Sequence, residues 1–263
     1  MSTQKKIYFP IIAYGGMCRA DFGMSCASLF VRTLQEKSNL QIFSTGIFFE
    51  SLISRARNAS AAACLHYDCD YLLFIDADIA FDPSDVFKLV EHNKDVVCGV
   101  YPKKYYSASK LKYLANNHKE VFETDKWKSS SVDFATEMDE AFLQKVAQKQ
   151  KLIEVNYAAT GFMLIRKTVF EQIIRQKPDI HYKNDVDGYS EFNNNDFYDF
   201  FPAQVNRSSK KYESEDYGFC NLWRSLGGKI YVDPTINLHH VGTCSYNGNL
   251  MEQSQIYMQS ING

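Results

Sequence analysis

"YLLFIDADIAFDP", residues 71–83, joins a run of apolar, strand-forming residues to two acids. Asp76 and Asp78 follow that run with one small residue, Ala77, between them. Because alternate side chains of an extended chain lie on the same side, the two carboxylates repel each other unless a positive charge lies beside them. A divalent cation is the natural candidate, since Mg²⁺ and Mn²⁺ prefer oxygen ligands and often share them with substrate phosphates.

The segments around this stretch alternate between strands and helices. Nearly continuous apolar strands are predicted at 6–14, 40–44, 71–75, 95–101 and 157–165, with helical patterns between most of them. This alternation is typical of an α/β fold in which a mostly parallel, Rossmann-like sheet is flanked by helices. In the first helix, the spacing predicts that Ala27, Phe30, Val31 and Leu34 are buried, and Ser54 is the predicted cap of the second helix.

Two segments interrupt this pattern. Residues 103–150 are polar and lysine-rich, and they are expected to form an insertion with short helices. Residues 180–212 are crowded with Asn, Asp, Tyr and Phe, whose rings and amides suit sugars. A loop of that length is usually disordered or functional, so it is expected either to close over a site as a lid or to be an ordinary surface loop.

Composition limits the classes of function. The 263 residues are 45% hydrophobic and 23% charged, as in an ordinary soluble globular protein. The net charge of −2 argues against nucleic acid as the main partner. The seven cysteines form no CxxC pair, which favours reduced thiols over disulfides or a zinc ribbon. Without an apolar segment long enough for a membrane span or a signal-peptide pattern, a cytoplasmic location is expected.

The position of the acid pair favours metal binding. In an open parallel sheet, ligands gather beyond the carboxyl ends of the strands, where Asp76 and Asp78 are predicted to lie. The structural alternative is that one Asp caps the following turn and the other is solvated. A bare DxD is common by chance, but an apolar strand before it and "DP" at a helix start after it favour the metal site.

Taken with its flanking motifs, the chain resembles glycosyltransferases of the GT-A fold, of the family-2-like or Anp1-like superfamily. "FIDADIAF" resembles their strand-end DxD motif, and "SRARNAS" (54–60) resembles the basic helix start before it. "TGFMLIRKTVFE" (160–171) resembles the glycine-containing strand behind the donor sugar. "SEDYGFCNLWRSLGGKIYVDPTINLHHVG" (214–242) resembles the acidic, helix-opening motif with its returning strand and histidine. The order and spacing of these matches across residues 6–245 are more specific than any one of them.

The resemblance implies one GT-A domain over 1–263. It consists of a nucleotide-sugar-binding half (1–102), an insertion (103–150) and an acceptor-binding half (151–250). Implied contacts of the nucleotide sugar are Pro10, Tyr14, Arg55, Arg57, Asn58, Asp76, Ala77, Asp78 and Gly161. The implied cofactor is Mn²⁺ or Mg²⁺.

Physical reasons support these roles, each beside a structural alternative. Arg55 and Arg57 lie at a helix start, which favours anions, although either is also compatible with a solvated, ion-paired face. Asn58 either contacts the nucleotide or simply continues the helix. The nucleotide base stacks on Tyr14, or the loop that contains Tyr14 is only a turn that requires glycine. Gly161 allows a sugar to approach closely, or it marks a bulge.

The catalytic and metal-ligating roles also rest on the resemblance. Asp216 is the implied base that accepts the acceptor's proton, and Glu215 binds the acceptor, whereas acids at a helix N-terminus also stabilise the helix alone. In the family, a histidine of an "HxG" context completes the metal site. His240 fits that context and His239 fits a related one, so His240 is preferred, and imidazole favours Mn²⁺ over Mg²⁺.

The implied activity is transfer of a sugar, in the hexosyltransferase class, from a nucleotide-diphosphate sugar to a hydroxyl of a glycan or glycoconjugate. Uridine is the default donor base and guanosine the alternative, and both inverting and retaining routes stay open. A haloacid-dehalogenase-like phosphatase also begins from a strand-end DxD, but it usually has Thr or Val where this chain has Ala80, and its DxD lies near the N-terminus. A sugar-nucleotide pyrophosphorylase lacks support because no long Gly-rich loop follows the first strand. The remaining alternative is a saccharide-binding module without turnover.

Overall fold

The structure of the chain is a computed structural model that describes residues 4–35, 39–192 and 196–259. Its strands are β1 (Lys5–Tyr8), β2 (Ile11–Ala13), β3 (Leu40–Phe43), β4 (Gly46–Phe48), β5 (Tyr71–Ile75), β6 (Ile79–Ala80), β7 (Val96–Gly99), β8 (Pro102–Tyr106), β9 (Val132–Phe134), β10 (Ile153–Val155), β11 (Phe162–Arg166), β12 (Gln204–Val205), β13 (Tyr212–Glu213), β14 (Ile230–Asp233), β15 (His239–Val241) and β16 (Ser245–Asn247). Its helices are α1 (Ala20–Gln35), α2 (Ile53–His66), α3 (Pro83–Glu91), α4 (Ala108–Asn117), α5 (Lys126–Ser130), α6 (Glu140–Ala147), α7 (Lys167–Gln176), α8 (Glu215–Ser225) and α9 (Leu250–Gln259).

A seven-stranded sheet forms the centre of the fold, in the order β10-β14-β7-β11-β5-β1-β3. Five of its strands run in one direction, while β11 is antiparallel to both β5 and β7, and β10 is antiparallel to β14. All five residues of β5 are buried, which explains its continuous apolar sequence. The predicted α/β fold with a mostly parallel sheet flanked by helices is confirmed.

The first predicted strand is two strands that belong to different sheets. β1 pairs with β3 and β5 in the central sheet, whereas β2 pairs in parallel with β4. Pro10 separates them, because proline has no N–H to donate to a neighbouring strand. The prediction of one continuous strand at 6–14 is therefore wrong.

Two details of the helices also differ from the predictions. Helix α1 buries Phe22, Cys26 and Leu29, whereas Val31 and Leu34 of the predicted face are 52% and 80% exposed. Both sets have helical spacing, and the sheet contacts the stripe that contains the large Phe22 ring. Helix α2 begins at Ile53 after Leu52 and makes no side-chain cap, so Ser54 lies inside the helix and does not cap it.

The described part of the segment 180–212 is largely irregular, as predicted, but it is not a free lid. Phe197, Phe200 and Phe201 are completely buried, and Phe201 stacks on Phe219 of α8 with ring centroids 4.8 Å apart. These rings belong to the hydrophobic core because they cover α7 and α8. Residues 193–195 lie outside the described residues.

Residues 103–150, predicted to be an insertion, contain short helices, as expected, and an antiparallel pair of strands. Strand β8 pairs with β9, and helices α5 and α6 pack against α9 from the other end of the chain. None of the helices in the described ranges combines the length and the apolar character needed to cross a bilayer.

Candidate active site

A cavity of about 720 Å³ opens at the carboxyl edge of the central sheet. Five parts of the chain meet there: the segment from β2 to the start of α1, the segment that leads into α2, the end of β5, the start of α8 and strand β15. The cavity is lined by the predicted site residues Tyr14, Arg57, Asp76, Ala77, Asp78, Glu215 and His240. This is the edge at which open α/β sheets bind their ligands.

Arg57 holds two of the acids in place. Its Nη2 donates to Asp76 Oδ1 at 3.0 Å and its Nε to Glu215 Oε1 at 3.2 Å, and its side chain is only 4% exposed. Burial opposes the charge of the guanidinium, but Asp76 and Glu215 outweigh that cost and keep the pKa of Arg57 raised. Arg57, which the sequence predicted to bind the diphosphate, is therefore already ion-paired within the protein. It fixes the positions of the Asp76 and Glu215 carboxylates.

The two oxygens of Asp78 have different partners. Lys104 donates to Oδ2, and the Nε2 atom of His240 lies 3.4 Å from Oδ1. Burial alone would raise the pKa of Asp78, but the bonds from His240 and Lys104 lower it to about 2. Asp78 is thus a carboxylate at every physiological pH.

His240, rather than His239, lies beside the acid pair. Its Nδ1 is 2.8 Å from the carbonyl oxygen of Pro102, which only accepts hydrogen bonds, so Nδ1 carries a proton. Adjacent residues of a strand point to opposite faces, and His239 of β15 is exposed on the other one. Of the two histidines that the sequence left open, His240 is the one beside Asp78, and its role as a metal ligand stays a prediction.

The residues at this point fit a divalent cation in part. Metal-binding histidines typically anchor one ring nitrogen on a carbonyl or carboxylate and turn the other to the metal, which is the arrangement of His240 beside Asp78. However, no group of three His, Cys, Asp or Glu side chains within the described ranges is gathered as a metal site. Asp78 and His240 therefore fit a cation that takes further ligands from water or from a substrate phosphate.

Several predicted site residues lie elsewhere or have other partners. Arg55 forms a bidentate pair with Glu50, at 2.7 and 2.8 Å. Asn58 donates to Asp199 and accepts the N–H of Phe201, both at 3.0 Å, so its amide anchors that buried segment. Pro10, Arg55 and Asn58 are absent from the lining of the cavity. Their implied contacts with the nucleotide sugar stay predictions without geometric support.

Gly161 borders the acid pair, although it does not line the cavity. Its carbonyl oxygen accepts the N–H of Asp76 at 3.0 Å. A Cβ atom at Gly161 would lie 2.6 Å from the Tyr101 ring and 2.7 Å from Asp76 Oδ2. Glycine is required here because Tyr101 and Asp76 approach the backbone too closely for any side chain.

The two acids that open α8 are separated by their surroundings. Glu215 lines the cavity and pairs with Arg57. Asp216 is not among the lining residues, and its Oδ1 accepts hydrogen bonds from the Ser214 hydroxyl and from the Tyr217 N–H, the latter at 2.8 Å. Among the described residues, Asp216 therefore accepts hydrogen bonds from neutral donors only, whereas Glu215 is bound to the buried cation of Arg57.

The sequence predictions did not include Arg19, which also lines the cavity. Its backbone N–H donates to the carbonyl of Ala77 at 2.9 Å, so the loop before α1 is tied to the acid pair. Its side chain is exposed and makes no ion pair with the described residues. Its place just before a helix, after the Gly15–Gly16 turn with positive φ at both glycines, was the available signal.

A family model described as Anp1 matches residues 42–191. No curated protein matches the chain. Among solved structures, A197 from STIV is similar at 14% identity and a TM-score of 0.46, covering 90% of this chain and 86% of that one. A 4-diphosphocytidyl-2C-methyl-D-erythritol synthase from Anaerococcus prevotii DSM 20548 is similar at 8% identity and a TM-score of 0.33, covering 70% and 82%.

Proposed function

Since this chain belongs to the Anp1 family, a family of glycosyltransferases with the GT-A fold, we propose that it is a metal-dependent hexosyltransferase. The donor is a nucleoside-diphosphate sugar, with uridine or guanosine as the base, and the acceptor is a hydroxyl group of a glycan or glycoconjugate. One observation carries this proposal: Asp76, Asp78, His240, Glu215 and Arg57 converge in a single cavity beyond the end of β5.

The charges in the cavity suit a diphosphate held through a cation. Asp78 and His240 are the side chains that would hold Mn²⁺ or Mg²⁺, and the bound metal would neutralise the departing diphosphate. Arg57 keeps Asp76 directed into the cavity, and the exposed guanidinium of Arg19 can pair with phosphate oxygens at the mouth. Tyr14 is 72% exposed on the same rim and can stack on the base.

The acceptor step assigns different tasks to the two acids of α8. The acceptor oxygen bonds to the anomeric carbon, the bond from that carbon to the diphosphate breaks, and the nucleoside diphosphate leaves with the electron pair. Asp216 takes the hydroxyl proton, because its neutral partners leave the carboxylate available. Glu215 would have to give up its ion pair with Arg57 to do so. A base at Asp216 corresponds to inversion at the anomeric carbon.

A cytoplasmic location is part of the same proposal. All seven cysteines are free thiols, five of them buried, which suits a reducing compartment.

Thermal unfolding against a panel of nucleotides and nucleotide sugars, with and without Mn²⁺, tests the proposal. A ligand that binds the native state raises the melting temperature by mass action. We expect a Mn²⁺-dependent rise with one class of diphosphate nucleotide. Asp78→Ala should abolish the rise, and Asp125→Ala should retain it because Asp125 is an exposed carboxylate that pairs with Lys128, outside the cavity.

Two results would contradict the proposal. A rise with Mg²⁺ and vanadate, but with no nucleotide, would indicate a phosphatase instead. Full biological activity of Asp78→Ala would indicate a binding module without turnover.

A further inference from the structure

A second cavity, of about 370 Å³, lies between α6, β10 and the C-terminal end of α8. Six charged side chains line it, three acids and three bases: Glu137, Asp139, Glu154, Lys145, Arg224 and Lys229. Lys229 pairs with Glu154 at 2.9 Å. The lining is therefore polar but carries no net charge, and no large field selects a polyanion or a polycation.

A pair of tyrosines connects this cavity to the start of α8. Tyr217, the residue after Asp216, stacks on Tyr157 with ring centroids 4.7 Å apart and an angle of 23° between the rings. The guanidinium carbon of Arg224 lies 5.6 Å from the centre of the Tyr157 ring. Arg224 also lines the second cavity, so Tyr217, Tyr157 and Arg224 form an unbroken strip from Asp216 to that cavity.

The strip runs along the axis of α8. Tyr217 and Arg224 are seven residues apart, which places them on one face of the helix about 10 Å apart along its axis. Burial raises the pKa of the Tyr217 hydroxyl, and the charges of Asp216 and Glu137 add to that effect. The charge of Asp216 and that of Glu137, which lines the second cavity, therefore both act on the Tyr217 hydroxyl.

The chemistry of the strip fits a neutral polyhydroxylated ligand. Tyr217 is 38% exposed and supplies the apolar ring of the strip, and Tyr157, which is partly buried, supports that ring by stacking on it. Beyond the rings, the cavity offers carboxylates, a guanidinium and the amide of Asn156, which donates to Glu137 at 2.9 Å. Such groups exchange hydrogen bonds with hydroxyls, whereas the balanced charge gives no advantage to phosphate or sulfate groups.

We propose that the Tyr217–Tyr157–Arg224 strip and the adjoining cavity bind the neutral oligosaccharide chain of the acceptor, with its reacting end at Asp216. This inference rests on the proposed function and extends it to the acceptor. In this proposal the oligosaccharide lies along the exposed face of α8 and extends away from the donor cavity. Acceptors longer than one sugar unit therefore bind more tightly, because the units beyond the reacting end contact Arg224 and the second cavity.

Saturation-transfer NMR with neutral hexose oligosaccharides, from monosaccharides to hexasaccharides in several linkages, tests this without nucleotide or metal. We expect binding that strengthens with chain length in at least one linkage series. Tyr217→Ala should weaken it about tenfold through loss of the ring, while Tyr217→Phe keeps the ring and the binding. Arg224→Ala should remove the gain from longer chains. Tyr212→Ala, which removes an exposed tyrosine of β13, is the matched control and should bind normally.

Three outcomes would overturn the inference: no binding of any neutral oligosaccharide, binding that Tyr217→Ala leaves unchanged, or binding only of sulfated or uronic oligosaccharides. Its failure is distinguishable from failure of the proposed function. Asp78→Ala should lose the nucleotide-dependent thermal shift and keep oligosaccharide binding. A wild-type protein that binds oligosaccharide but shows no shift with any nucleotide would refute the donor site while leaving the strip in place.

Discussion

Lys104 and His240 bind opposite oxygens of the same carboxylate, that of Asp78. The side chain of Lys104 reaches it from strand β8, and its methylenes lie so close to Gly242 that a Cβ atom there would be 3.1 Å from Lys104 Cδ. An ammonium group therefore occupies one oxygen of the acid that is expected to hold the metal. A divalent cation at Asp78 has to compete with this ion pair.

The first prediction concerns this competition. Lys104→Met should tighten the binding of Mn²⁺ about fivefold, since a partly exposed ion pair is worth up to about 1 kcal/mol. Titration calorimetry of the nucleotide-free protein measures it. Lys103→Met removes the neighbouring, exposed charge and should change the affinity much less. Equal or weaker Mn²⁺ binding by Lys104→Met would show that the lysine does not oppose the metal.

The second prediction concerns Arg57. Arg57→Ala should lower the free energy of unfolding by about 3 kcal/mol, because it leaves Asp76 and Glu215 without their shared, buried cation. Urea denaturation measures the loss. Arg55→Ala on the same helix is the comparison, and its cost should be smaller because Glu50 keeps the Leu52 N–H and the Tyr189 hydroxyl. A cost at Arg57 no greater than that at Arg55 would contradict this role.

The fold was predictable where burial and local propensity agree. Strand β5 and helix α3, which Asp82 caps through the Ser84 N–H, lie where the sequence predicts them. The face of α1 was not predictable, because two apolar stripes have the same helical spacing and only the sheet decides between them. Likewise, the rings of 197–201 look like a loop in sequence, and their burial depends on α7 and α8.

The sequence was enough to predict which residues lie at the site, but not which of them form ion pairs and hydrogen bonds with each other. The sequence indicated that Asp76, Asp78, Glu215 and His240 lie at one edge, and the structure brings them to one cavity. Glu215, one partner of Arg57, lies 158 residues away along the chain, and Phe201, one partner of Asn58, lies 143 residues away, so no local pattern reveals these pairings. Arg19 was missed although its place just before a helix was a signal, whereas nothing in the sequence showed that Lys104 pairs with Asp78.

The third prediction concerns Asp85, which lies outside the site. Burial raises its pKa above the usual value, although Lys88 partly opposes the shift. Between the ordinary pKa of Asp85 in the unfolded chain and its raised pKa in the folded protein, the native state binds more protons than the unfolded state. The contribution of Asp85 to stability therefore falls as the pH rises through that window. Asp85→Asn removes this dependence. The free energy of unfolding of the variant minus that of the wild type should therefore rise from pH 3 to pH 7.

Urea denaturation of both proteins at several pH values in that range measures the difference. Asp125→Asn is the control, since its carboxylate is exposed and its difference from wild type should show no comparable rise. A difference for Asp85→Asn that is flat, or that falls with pH, would contradict the raised pKa.

The last prediction separates two reasons for the glycine at 161. A Cβ there would meet the Tyr101 ring and Asp76 Oδ2, so Gly161→Ala should cost about 1–3 kcal/mol of stability by overpacking. Gly23→Ala is the control, since nothing lies within 4 Å of its Cβ position in α1 and the change should stabilise the helix by about 0.5–1 kcal/mol. Urea denaturation measures both. If Gly161→Ala keeps wild-type stability but loses nucleotide-sugar binding, the glycine serves the approach of the sugar, and the Tyr101–Asp76 contact is not the reason for it.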